Sequence, residues 1–154
     1  MANPFLINTL NQVNPTDDKR WIFDGKDEWF LPCVIDLANK TYSGYWYMTQ
    51  DYFESEHYHT GIAHGTVLQG EILLFCNNEK FIIQKNESFL LPPNLLHTAE
   101  LITCSEGFLF FGVVVGDTHY VDSGQKFNVT TYHAATCKHY REQGLSLDEI
   151  VINQ

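Results

Sequence analysis

From Trp21 onward, short runs of β-branched, aromatic and aliphatic residues alternate with polar turn residues, a period-two pattern broken every few positions. The segments expected as strands are 21–23, 29–36, 44–50, 64–76, 80–84, 88–91, 98–103, 107–115 and 119–122. Between them stand Asn39-Lys40, Asn77-Asn78, Lys85-Asn86, Pro92-Pro93-Asn94, Ser105-Glu106-Gly107 and Asp122-Ser123-Gly124, residues that accept tight or left-handed turns. So many short strands at this spacing predict an all-β sandwich or barrel. One stretch, 130–143, has helical periodicity, with Tyr132, Ala135, Thr136, His139 and Tyr140 at three- and four-residue steps and Gly144 as a stop. The pattern therefore gives an irregular arm over 1–20, a barrel over about 21–125 and a C-terminal helix, with no repeat or linker to divide residues 1–154 into more than one domain.

At 154 residues a chain buries roughly 68–70% of its unfolded surface, enough for a core without covalent staples. An aromatic share of 14% suits a β-rich fold with a lined cavity. The formal charge of −10 repels phosphate backbones and anionic lipid, which argues against nucleic-acid and membrane-surface partners. The longest apolar run, 107–115, is far short of the ~20 residues of a spanning helix. The N-terminus shows no basic-then-apolar leader, so a soluble, cytoplasmic chain is expected. Cys33, Cys76, Cys104 and Cys137 are widely spaced without a CxxC pair, and are expected as reduced thiols with Cys76 and Cys104 in apolar strands.

The candidate chemistry is concentrated in His57-Tyr58-His59-Thr60-Gly61-Ile62-Ala63-His64-Gly65-Thr66-Val67-Leu68-Gln69-Gly70, and in His97 after the Pro92-Pro93 turn. Alternate residues of a strand share a face, so His57 and His59 can converge on one point with Tyr58 opposite. A third imidazole from a distant strand would complete a facial set of nitrogen donors suited to Fe, Zn, Ni, Cu or Mn, with open positions for water or substrate.

Together these motifs resemble the cupin superfamily, in which HxH, a further ligand and a turn glycine form a first motif, and a proline-containing turn before a histidine forms the second. The matching residues are His57, His59, His64 and Gly70, then Pro92, Pro93 and His97. The resemblance implies a double-stranded β-helix, or jelly-roll barrel, holding one divalent metal on His57, His59 and His97. His64 stands where many cupins have a glutamate, five residues after the second histidine. It is expected as a fourth ligand or, preferably, as a catalytic group that hydrogen-bonds a ligating histidine or a metal-bound water. The run at 57–70, the Tyr120-Val121-Asp122-Ser123-Gly124 turn and the tail Tyr140-Arg141-Glu142-Gln143-Gly144-Leu145 are similar to cupins grouped with 2,4'-dihydroxyacetophenone dioxygenase, a group that includes cupin parts of anti-sigma factors.

That resemblance implies a non-haem dioxygenase using O₂ to cleave a carbon–carbon bond of a hydroxy-ketone or diketone, with Fe(II) ahead of Zn, Ni or Mn, and a homodimer. A non-catalytic metal-binding sensor is the alternative, and a metal-dependent isomerase or hydrolase a third. Glu79 is the one carboxylate placed to act as a catalytic group after the Gly70 strand. Met48, Thr66, Leu68, Phe89, Leu91 and Phe110 are expected to line the substrate pocket. Glu54 and Glu56 are assigned to a solvated strand edge outside the site, and His119, His133 and His139 to surface or capping positions.

Overall fold

The computed structural model describes residues 14–25, 27–102 and 106–154; Cys104, most of the arm and one end of the strand expected at 98–103 lie outside the described residues. The described residues form β1 (Ile22–Phe23), β2 (Glu28–Asp36), β3 (Thr41–Met48), β4 (Phe53–His59), β5 (Ala63–Gln69), β6 (Glu71–Cys76) and β7 (Glu79–Ile83). They continue as β8 (Ser88–Leu91), β9 (His97–Ile102), β10 (Phe108–Val115), β11 (Thr118–Tyr120), β12 (Lys126–Phe127), helix α1 (Val129–Gln143) and β13 (Val151–Asn153).

Two sheets result. One has the order β1-β2-β3-β10-β5-β8, with β13 parallel to the end of β2; the other has the order β12-β11-β4-β9-β6-β7. From β3 to β11 every connection except the β6–β7 hairpin carries the chain to the opposite sheet, the winding of a jelly roll. Closing the sheets over one another buries a shared core: Phe30, Tyr42, Trp46 and Val67 from the first meet Ile72, Leu74 and Ala99 from the second.

Left-handed residues sit where the turn chemistry placed them. Lys40, Asn77, Asn78, Asn86 and Asn94 all have positive φ, and Asn tolerates that region better than most residues. The segment expected as one strand over 64–76 is two strands, because Gly70 at φ 82° turns the chain from one sheet to the other. The helix begins at Asn128, whose side-chain oxygen accepts from the amides of Thr130 and Thr131, and ends at Gly144 in the left-handed region. A cap of the Asn128 kind contributes about 1 kcal/mol. Three strands lie outside the expected segments: β12 and β13 are too brief to show alternation, and β4, although its histidines are expected on a strand, has few apolar residues to mark it. The Arg20 guanidinium ties the described end of the arm to the C-terminal segment, pairing with Asp18 at 2.6 Å and Glu149 at 3.2 Å.

Three glycines prepare the barrel interior. Gly44, Gly112 and Gly65 are direct neighbours across β3, β10 and β5, forming a row without side chains. Aromatic rings occupy that row: Trp46 and Phe110 stack at 5.2 Å with planes 9° apart, and the Phe89 ring lies where a Cβ on Gly65 would stand. A Cβ on Gly44 would run into the Leu31 carbonyl, a backbone group that cannot step aside.

Candidate metal centre

His57 and His59 leave the same face of β4, and His97, the first residue of β9, is the cross-strand partner of His57. The ring centroids of His57 and His97 are 4.1 Å apart, those of His57 and His59 5.1 Å, and those of His59 and His97 5.3 Å. One nitrogen from each ring lies within 4.8 Å of the others. A first-row cation stands about 2.0–2.1 Å from each imidazole nitrogen, so small ring rotations suffice to close the set.

The remaining ring nitrogens are already engaged. The Nδ1 of His57 meets the Ser55 carbonyl at 2.7 Å and the Nδ1 of His97 meets the Leu95 carbonyl at 2.9 Å. A carbonyl only accepts, so both Nδ1 atoms carry the proton and both Nε2 atoms are left as lone-pair donors. His59 Nδ1 meets the Thr118 hydroxyl at 2.8 Å, and Thr118 is the cross-strand neighbour of His59 on β11. Outer contacts of this sort fix the ring orientation that a metal needs. The Pro92-Pro93 turn serves the same end: Asn94 in the left-handed region donates its amide to the His59 carbonyl at 2.7 Å and brings Leu95 under His97.

Burial, with added repulsion between the rings, lowers His57 to about 4; burial also lowers His59, to about 3, and His97 shifts down for the same first reason. The imidazoles are thus neutral at physiological pH, the form that ligates. The unfolded chain titrates its histidines near 6.5, so between about pH 6.5 and 4 it binds protons that the folded chain rejects, and stability rises with pH. Metal-free protein is expected to lose melting temperature steadily as pH falls through that window. A flat profile in chelator, measured by scanning calorimetry, contradicts the assignment.

The cation would face a cavity of about 120 Å³ within the barrel. Met48, Phe89, Leu91 and Phe110, expected in the pocket, line it together with Tyr42 and Trp46. Thr66 and Leu68 do not. On β5 the residues facing inward are Ala63, Gly65 and Val67, so the alternate positions face out: Thr66 bonds Ser88 at 2.8 Å, and Leu68 packs with Tyr45 and Leu109 on the outer side of the sheet.

The same alternation corrects His64. Although its residue borders the cavity, His64 is exposed and pairs with the exposed Leu90. It contributes no nitrogen to the converging set. The inward position on β5 beside the site belongs to Ala63, which has no donor. His64→Ala is expected to keep full metal content and affinity, as read by elemental analysis and metal titration; loss of metal would return His64 to the site. Glu79 is also corrected: it lies exposed at the start of β7, outside the cavity lining.

Two carboxylates line the cavity, Glu28 and Glu54, the second assigned above to a solvated edge. Strict alternation would turn Glu54 away from His57, three residues on. A β-bulge between them adds one residue on β4, so that Glu54 faces Ala99 while His57 faces His97. Glu54 lines the cavity and accepts hydrogen bonds from the hydroxyls of Tyr52 and Tyr120. Tyr120 in turn stacks on His57 at 5.1 Å, with ring planes 28° apart. Glu56 is exposed, as expected. Thr118 extends the contacts of His59 to the Tyr42 hydroxyl, which also bonds Tyr132. Burial pushes Tyr42 up to about 12 and raises Tyr120 and Tyr132 further, which keeps all three as neutral hydrogen-bonding phenols. His119, alternating with these residues, stacks on Tyr58 at 5.0 Å away from the centre, and Cys33, raised to about 12 by burial, is an inert core thiol.

Residues 42–110, which include all three histidines, match the family model of the AraC-like ligand binding domain. Among solved structures, an RmlC-like cupin protein of Ralstonia eutropha superposes with a TM-score of 0.75 at 15% identity, covering 92% of this chain and 95% of its own. An acetylacetone dioxygenase of Acinetobacter johnsonii gives 0.67 at 10% identity, covering 79% and 88%. A protein with a cupin-like fold, also of Ralstonia eutropha, gives 0.68 at 14% identity, covering 83% and 81%. No curated protein sequence matches.

Proposed function

Taking as premise that this chain folds as a cupin, we propose that it is a metal-dependent enzyme: a non-haem Fe(II) dioxygenase that cleaves a carbon–carbon bond of a hydroxy-ketone or diketone with O₂. The observation that carries this reading is the set of three buried, neutral imidazoles whose free nitrogens converge on a largely apolar cavity that also carries the Glu54 carboxylate. The acetylacetone dioxygenase among the structural neighbours adds support at the level of fold.

Bound there, a divalent iron supplies Lewis acidity and electrons for O₂ chemistry. The chain's own residues do the rest. His57, His59 and His97 would hold the ion, beside the cavity that would admit the substrate's oxygens. Glu54, steadied by two phenols, accepts the proton that a hydroxy-ketone or diketone loses on becoming an enolate. Trp46, Phe89 and Phe110 keep bulk water from that enolate. The proposal includes a homodimer, expected to sediment at twice the chain mass of 17.8 kDa.

A second reading has a specific observation behind it. The match of 42–110 to a ligand binding domain suits a module that binds a small molecule beside zinc without turning it over. Oxygen uptake by anaerobically Fe(II)-loaded protein, tested across hydroxyacetophenones and β-diketones, separates the two. Uptake stoichiometric with substrate loss supports the dioxygenase, whereas binding without uptake for every compound removes it in favour of the module.

A further inference from the structure

The cavity beside the histidines is too small to be a whole substrate site. Its volume of about 120 Å³ falls well below the roughly 300–1,000 Å³ usual for small-molecule pockets. A second cavity of about 410 Å³ adjoins it, and the two share Glu28, Trp46, Glu54, Tyr120, Phe127 and Tyr132 as walls. This outer chamber runs between α1 and the edge formed by β1, the start of β4 and the β11–β12 turn. Phe23 and Phe53, both more than half exposed, stand at its walls.

Its charged groups are of one sign. Asp24, Glu28, Glu54 and Asp122 supply carboxylates, and no Lys or Arg stands among the described lining residues.

We infer that the outer chamber is a specificity site for the tail of an elongated ligand. The ligand has a compact oxygen-chelating head for the inner cavity and a flat, uncharged apolar tail. Anionic tails are rejected by the carboxylate rim. The inference rests on the proposed function for the head and on the second chamber alone for the tail.

The test uses the full chain loaded with Zn(II), which binds without turnover, and calorimetric titration with acetylacetone, benzoylacetone and the para-carboxylate derivative of benzoylacetone. The phenyl group is expected to tighten binding about tenfold or more over acetylacetone. The para-carboxylate loses about tenfold or more relative to phenyl. Ala135→Phe, at an exposed helix position that lines the chamber, is expected to abolish the phenyl gain and leave acetylacetone unchanged. A phenyl gain that survives Ala135→Phe, or carboxylate binding equal to phenyl, overturns the inference. Should acetylacetone itself not bind, the head reading fails separately, and 4-ethylphenol titrated into metal-free protein then decides the chamber: binding lost in Ala135→Phe supports it, and no binding overturns it. Absent oxygen uptake with an intact phenyl gain removes the dioxygenase and leaves the chamber standing.

Discussion

Replacing His97 by alanine is expected to take the protein from about one divalent metal per chain to nearly none after dialysis, as measured by elemental analysis. Structural sites of four donors bind zinc by roughly 10–16 kcal/mol, so one donor is worth about 3–4 kcal/mol, or on the order of 10²–10³ in affinity. His97 is not replaceable by a neighbour. The set contains no fourth side chain among the described residues, since His64 points out and the inward position of β5 is Ala63. The loss should exceed that in Thr118→Val, which leaves all three donors and frees only the Nδ1 of His59; outer-contact changes of that kind cost about 10–100-fold. Full metal retention in His97→Ala would show that the three imidazoles do not act as one site.

Glu54→Gln tests the chemistry apart from the metal. The substitution keeps the shape and an oxygen that accepts from Tyr52 or Tyr120, but removes the charge and the ability to take a proton. With Fe(II) content unchanged, turnover is expected to fall by about 10²–10⁴, the usual contribution of a positioned acid–base group. The matching change at exposed Glu56 should do nothing. Turnover that persists in Glu54→Gln would reduce Glu54 to a support for the two tyrosines.

The pairing of these two glutamates shows where reading the chain succeeds and where it stops. Glu56 follows simple alternation from His57 and is outside the site. Glu54 is inside because one extra residue on β4 reverses the parity, and a bulge of one residue leaves no mark in the hydrophobic pattern. On β5 the difficulty was one of phase: the motif places His64 five residues after His59, but the pleat turns Ala63 inward, so His64, Thr66 and Leu68 all leave the barrel together. Thr118 and Tyr120 were legible in principle, lying two apart on a short β-prone stretch. Nothing in the sequence said that this stretch would pair with β4 at His59 and His57.

The sequence by itself determined the class of fold, the sites of its turns, the C-terminal helix and the three histidines, because each depends on local chemistry: period-two alternation, left-handed tolerance in Asn and Gly, three- and four-residue periodicity closed by Gly144, and imidazoles two apart on one strand. Only the tertiary structure decided which residues share the cavity with those histidines. Gly44, Gly112 and Gly65 form one row only after three distant strands align, and Glu54 reaches the cavity only through a bulge in cross-strand pairing. Register between strands far apart in sequence is set by the packing of the whole core, and no local stretch of the chain contains it.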